Sequence, residues 1–104
     1  MILSVVAGTG SCLPARVMDN HEMATLVDTN DAWIRERTGI TQRHLAAPGE
    51  FTSHLAAKAA ARALEAAKLT PQDIDLILVA TTTPDNTFPS TACQVQRPAL
   101  VPGL

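Results

Sequence analysis

Residues 51–80, FTSHLAAKAAARALEAAKLTPQDIDLILVA, decide the fold. Phe51, Leu55, Ala59, Ala63 and Ala67 recur at four-residue steps, with Ala56, Ala60 and Leu64 beside them. That spacing predicts a helix over 51–68 with one apolar face. Lys58, Arg62 and Glu65 project from other parts of its surface. Abundant alanine favours helix and permits close packing on a sheet. Thr70-Pro71-Gln72-Asp73 reads as a short helical turn, with threonine as cap, proline at the first helical position and an acid in the first turn. Residues 74–80, around Asp75, are apolar and rich in β-branched side chains, the pattern of a strand buried on both faces.

Upstream, residues 2–7 form a second apolar run, which stops at Gly8-Thr9-Gly10. It reads as a strand entering a turn. The two glycines would let a ligand or another backbone come close. GTGS is too short for a phosphate loop, and a plain turn is the better reading. Strand, helix, strand in this order predicts an α/β layer of βαβ type. Cys12 reads as a small buried side chain. Thr81 to Asp85 leave the second strand as a loop, where α/β folds commonly place ligands. A short helix is expected after Phe88-Pro89-Ser90, stopped by Pro98.

Composition narrows the classes. With 104 residues, 46% of them hydrophobic and 17% charged, the chain predicts one small ordered domain. A net charge of -2 argues against general nucleic-acid binding. Cys12 and Cys93 are far apart, in no metal-ligand spacing, and no metal site is expected. Two such cysteines without a secretion signal predict free thiols in a reducing, cytoplasmic setting. The apolar start lacks a basic leader and is broken by glycine, so it is not read as a signal peptide. No run is long enough for a membrane span.

The local basic cluster lies in residues 28–46, DTNDAWIRERTGITQRHLA, which also hold the only tryptophan. Asn30 or Asp28 can cap a short helix, and Gly39 stands where its left-handed stop belongs. Trp33 and Arg37, four apart, then share a face. A flat ring beside a fixed cation suits a ligand with a π-system and a phosphate. The alternative is a half-buried tryptophan with arginines in solvent. A helix is also expected over 20–27, capped by Asp19 or Asn20, and an extended segment over 41–45. His44 and His54 have no ligand partner in sequence, and His44 reads as a hydrogen-bonding or surface residue.

Taken together, GTGSCLP, DTNDAWIRERTGI, the following RHLA, the alanine-rich helix and DIDLILVATTTPDNTFPSTACQVQ resemble the N-terminal third of β-ketoacyl-acyl-carrier-protein synthase III. The resemblance covers residues 2–96. It implies a partial thiolase-like fold, the incomplete N-terminal half of a layered α/β/α domain. It divides the chain into a partial condensing-enzyme domain over 1–96 and a divergent tail over 97–104. The family moves an acyl group, usually acetyl, from coenzyme A to a cysteine. It then condenses that group with malonyl-acyl-carrier protein and releases carbon dioxide. Expected partners are acetyl-CoA or another acyl-CoA, acyl-carrier protein and a second subunit. Acyl-CoA is a substrate, and no permanently bound cofactor is implied.

Carried over by motif, Trp33 becomes the surface on which the CoA adenine stacks. Arg37 becomes a contact to the nucleotide phosphates, and Thr29 a polar contact at the adenine end. Phe88 would line the acyl pocket of the neighbouring subunit; from its own surroundings it reads as a core residue. No catalytic residue is expected here, because the family's nucleophile, histidine and asparagine lie beyond Leu104. Cys93 matches a structural position of the motif, with no base or cation beside it in sequence to activate the thiol. The tail RPALVPGL departs from the family pattern, which predicts a truncated product. Uncovered apolar faces are then expected to favour association. The competing readings are a non-catalytic fragment or CoA-binding, dimer-interfering module, and a plain α/β structural domain.

Overall fold

The computed structural model describes residues 1–97; the end of the tail, 98–104, lies outside the described residues. In chain order the elements are β1 (Arg16–Asp19), α1 (Asn20–Leu26), α2 (Asp31–Thr38), β2 (Gln42–Leu45), α3 (Thr52–Ala67), a 3-10 turn (Pro71–Asp73) and α4 (Thr91–Val95). They fall into two compact units, Leu13–Gly49 and Met1–Cys12 with the chain from Glu50 onward.

The Leu13–Gly49 unit is built on an antiparallel pair. Arg16 faces Leu45, Val17 faces His44, Met18 faces Arg43 and Asp19 faces Gln42. Met18 is buried by this pairing side, and Ile34 of α2 is the unit's other buried apolar residue. Asp19 ends β1 and caps α1, its carboxylate accepting from the Glu22 amide at 2.8 Å. Asn30 caps α2 in the same way, accepting from the Trp33 amide at 2.8 Å. Gly39 ends α2 at φ 71°, where its amide closes onto the Arg35 carbonyl. A side chain there would strain the left-handed backbone. His44 hydrogen-bonds the Pro14 carbonyl through Nδ1 at 2.7 Å, a role consistent with its sequence reading.

In the second unit α3 forms as a helix, but its buried positions are Ser53 and Ala57, and Phe51, expected on the apolar face, stands at the N-cap and is exposed. Ala57 and Val95 are buried, and Ala56, Ala60, Leu64, Ile77 and Val79 pack against them. The N-terminus of α3 draws its partners from within the unit. The Asp85 carboxylate accepts from the Ser53 amide at 2.8 Å and from the Ser53 hydroxyl. The Thr52 hydroxyl donates to the Thr83 carbonyl at 2.6 Å, and the Phe51 amide donates to His54 Nδ1 at 3.1 Å. Lys68, at φ 56°, ends the helix. The Thr70 amide donates to Asp73 at 2.8 Å, which fixes the 3-10 turn as its sequence predicts.

The glycines resolve in favour of a close backbone. A β-carbon at Gly8 would stand 2.6 Å from the Ala63 carbonyl oxygen, and one at Gly10 would stand 2.4 Å from that of Ala59. The N-terminal segment therefore lies directly on the α3 backbone, along the alanine face.

Three expectations need correction. Neither 2–7 nor 74–80 forms a strand among the described residues; the sheet is β1 with β2 instead. A ladder requires a hydrogen-bonded neighbour, and local apolarity does not supply one. Segment 74–80 is also not covered on both faces: Ile77 and Val79 pack on the core, whereas Leu76 and Leu78 are exposed. Cys12 is half-buried rather than fully enclosed.

Candidate functional site

Helix α2 carries the sequence-predicted pair. Asn30 fixes its start and Gly39 its end, so Trp33 and Arg37 fall one turn apart on the same side. The Arg37 guanidinium carbon lies 5.3 Å from the Trp33 ring centroid, within cation–π range. Trp33 remains 51% exposed, so ring area stays open to a ligand. Among the described residues Arg37 has no ion-pair partner, while Arg35 is held by Asp31 at 2.8 Å. The arginines thus differ: one neutralises its own helix, the other is available to an anion.

Thr29 joins them. With Asp28, Asn30 and Trp33 it lines a shallow cavity of about 140 Å³. Its hydroxyl is shielded from solvent and has no hydrogen-bond partner. Leaving such a group unpaired costs about 1–3 kcal/mol, which a ligand that bonds it would recover. Thr29 and Trp33 thus line one cavity at the start of α2, and Arg37, from the last turn, reaches the Trp33 ring. The arrangement can grip a flat heterocycle and its attached anion; it contains no nucleophile–base pair.

Asp31 supports the helix start. The Arg35 hydrogen bond, then that of Asn20, holds its carboxyl below the ordinary value, against an upward push from desolvation. The contact of Asn20 with α2 was not legible in sequence, because its partners Asp31 and Ile40 are set by tertiary packing; Asp28, offered as a cap for α2, instead lines the cavity while Asn30 caps the helix.

Phe88 lies in the other unit, on the loop between Thr83 and α4, and is 91% exposed. That excludes the core reading. The Phe88–Pro89 bond is cis. The loop is held to α3 by Asp85; desolvation raises the Asp85 carboxyl, but the Ser53 hydrogen bonds outweigh it and leave the group below its ordinary value. Cys93 is exposed, and its sulfur receives the Ser90 hydroxyl at 3.2 Å. No histidine or cationic side chain hydrogen-bonds it among the described residues. Among the described residues no group of three or more His, Cys, Asp or Glu side chains is placed to hold a metal ion.

The chain resembles curated proteins over most of its length. It is 64% identical over 96 residues to β-ketoacyl-[acyl-carrier-protein] synthase III of Thiobacillus denitrificans, covering 92% of this chain and 30% of that protein. It is 62% identical over 97 residues to the synthase of the same name from Allorhizobium ampelinum, covering 93% and 30%. Among solved structures, 3-oxoacyl-[acyl-carrier-protein] synthase III of Aquifex aeolicus matches with a TM-score of 0.78 at 48% identity, over 86% of this chain and 29% of that one. The priming β-ketosynthase of the R1128 polyketide pathway matches at 0.77 and 38%, over 86% and 27%. No family model matches.

The fold thus matches part of the thiolase-like fold of these synthases. Within that class, the family this chain resembles is β-ketoacyl-[acyl-carrier-protein] synthase III, and the chain spans about 30% of the length of the curated relatives it matches.

Proposed function

We propose that this chain provides the coenzyme A-binding edge of a β-ketoacyl-acyl-carrier-protein synthase III. In that reading the complete activity is transfer of an acyl group, typically acetyl, from CoA and its condensation with malonyl-acyl-carrier protein at the start of fatty-acid synthesis. Trp33 stacks on the adenine, Arg37 pairs with the nucleotide phosphates and Thr29 hydrogen-bonds the adenine end. Residues 1–96 act as the condensing-enzyme segment and 97–104 as a divergent tail. Phe88, fully displayed on its loop, faces the acyl pocket of a second subunit. Acyl-CoA is substrate rather than resident cofactor, and the setting is cytoplasmic. No described helix is long and apolar enough to cross a membrane.

The observation that carries this reading is the open face of Trp33 with Arg37 at 5.3 Å and the partnerless Thr29 hydroxyl beside it. Titration of the 104-residue chain with coenzyme A tests it. Binding is expected to fall at least tenfold in both Trp33→Ala and Arg37→Ala, as expected for lost stacking and a lost charged hydrogen bond. Equal binding by all three proteins would refute the site.

A second reading, a CoA-binding module without condensing activity, is favoured by Cys93. Among the described residues its sulfur hydrogen-bonds the Ser90 hydroxyl and no histidine or cationic side chain, so the pairing that activates a nucleophile is not seen there. Purified chain is expected to bind CoA without producing acetoacetyl-acyl-carrier protein. Condensation by the chain alone would exclude the non-catalytic reading.

A further inference from the structure

The strongest unassigned feature is Asn20, the first residue of α1, which is 1% exposed. All three of its side-chain hydrogen bonds leave α1. Its amide nitrogen donates to the Asp31 carboxylate and to the Ile40 carbonyl, both at 2.8 Å. Its amide oxygen accepts from Arg43 Nη2 at 2.9 Å. The orientation is fixed by chemistry: the nitrogen faces two acceptors, and the oxygen faces a donor that cannot lose its proton. Arg43 is itself anchored on β2 and donates to the Asp19 carbonyl at 3.2 Å.

These contacts have a common object. Asp31 is the first residue of α2, and Ile40 follows the Gly39 that ends it. One buried amide therefore grips the helix at its start and just past its end. Between those grips stand Trp33 and Arg37. Asp31 also holds Arg35, while Arg37 lies over the Trp33 ring.

We infer that Asn20 is a positioning residue: a two-ended clamp that fixes the pose of α2 and with it the Trp33–Arg37 face. The inference deepens the proposed nucleotide site and rests on it for its ligand, but its structural content does not need one. Asn20→Asp removes the donor and sets a second carboxylate against Asp31, while keeping shape and the Arg43 partner. The swap N20D/D31N restores a donor–acceptor pair between the two positions with the polarity reversed.

The test uses the complete chain, whose only tryptophan reports directly on the site. Near-ultraviolet circular dichroism reads how firmly the Trp33 ring is held, and far-ultraviolet circular dichroism checks that helix is retained. In N20D the Trp33 band is expected to collapse with helix retained, and coenzyme A to bind about tenfold more weakly, the scale of one lost hydrogen bond to a charged group. In N20D/D31N both are expected to return to within about threefold of the parent, a residual consistent with the unrestored Ile40 contact. A folded N20D with an unchanged band overturns the clamp. So does a double variant that leaves the band absent, whether or not the single variant folds. If the band follows the 20–31 pairing but the parent does not bind coenzyme A, the clamp stands and the nucleotide reading fails.

Discussion

Gly10→Ala is the substitution whose cost follows most directly from geometry. The new β-carbon would meet the Ala59 carbonyl oxygen at 2.4 Å, the Ala63 amide nitrogen at 2.5 Å and the Arg62 β-carbon at 2.9 Å. Ordinary contact begins near 3.4 Å, so the segment must retreat from α3 by the order of 1 Å. The two nearest obstacles are peptide atoms of a helix, and no rotamer change removes them. The retreat would also stretch the bond from Arg62 to the Ser11 carbonyl, now 2.6 Å. Overpacking costs about 1–3 kcal/mol, and a weakened hydrogen bond adds up to about 1 kcal/mol. Against this, alanine restricts the unfolded chain and returns about 0.4–1 kcal/mol. The net expectation is destabilisation of about 2 kcal/mol, near thirtyfold in the folding equilibrium. Urea unfolding followed by far-ultraviolet circular dichroism reads it. A slope of about 1 kcal/mol per molar predicts a midpoint lower by about 2 M. If the segment peels off without unfolding α3, amide exchange over residues 2–12 accelerates instead. A midpoint within about 0.5 M of the parent, with exchange unchanged, would refute the close contact.

Other perturbations probe the Leu13–Gly49 unit and the Phe88 loop. Gly39→Ala, at φ 71° with open space around the new β-carbon, is expected to cost about 1–2 kcal/mol through backbone strain alone, measured by loss of the Trp33 fluorescence transition midpoint. Asn30→Ala removes the acceptor of the Trp33 amide and is expected to cost about 1 kcal/mol in the same assay. Asp31 and Asp85 have folded-state carboxyls below their ordinary value, so each stabilises the fold above the unfolded range near pH 4. That contribution is lost as pH falls through the lower folded value. Acid titration of thermal stability should therefore be shallower in Asp31→Asn and Asp85→Asn; an unaltered profile would contradict the assignment. Asp85→Ala is further expected to loosen the Phe88 loop, detected as faster proteolysis between Thr83 and Ser90.

Legibility in the sequence tracked the range of the interaction. The cap at Asn30, the stop at Gly39, the α3 periodicity and the Thr70-Pro71 turn were all readable, because each depends on residues within one or two turns. The Trp33–Arg37 pair was readable for the same reason, and the resemblance supplied the ligand proposed for it. Short β1, RVMD, has little alternating pattern, and its existence depends on Gln42 to Leu45 more than twenty residues later. Segments 2–7 and 74–80 showed the opposite failure: strand-like composition without a ladder. Asn20, Asp85 and the shielded Thr29 hydroxyl could not be recognised, since their partners or environment are set by tertiary packing.

The alternation along 76–79 has a thermodynamic consequence. Ile77 and Val79 are anchored on the α3–α4 core while Leu76 and Leu78 point away from it, as neighbouring residues do on a pleated surface. Fixing a backbone residue ordinarily costs about 1–2 kcal/mol in conformational entropy. Here the anchored side chains have already imposed much of that order. An incoming strand would therefore meet a pre-organised edge, and its backbone hydrogen bonds and the two leucines would contribute to affinity with little of the usual ordering penalty on this side.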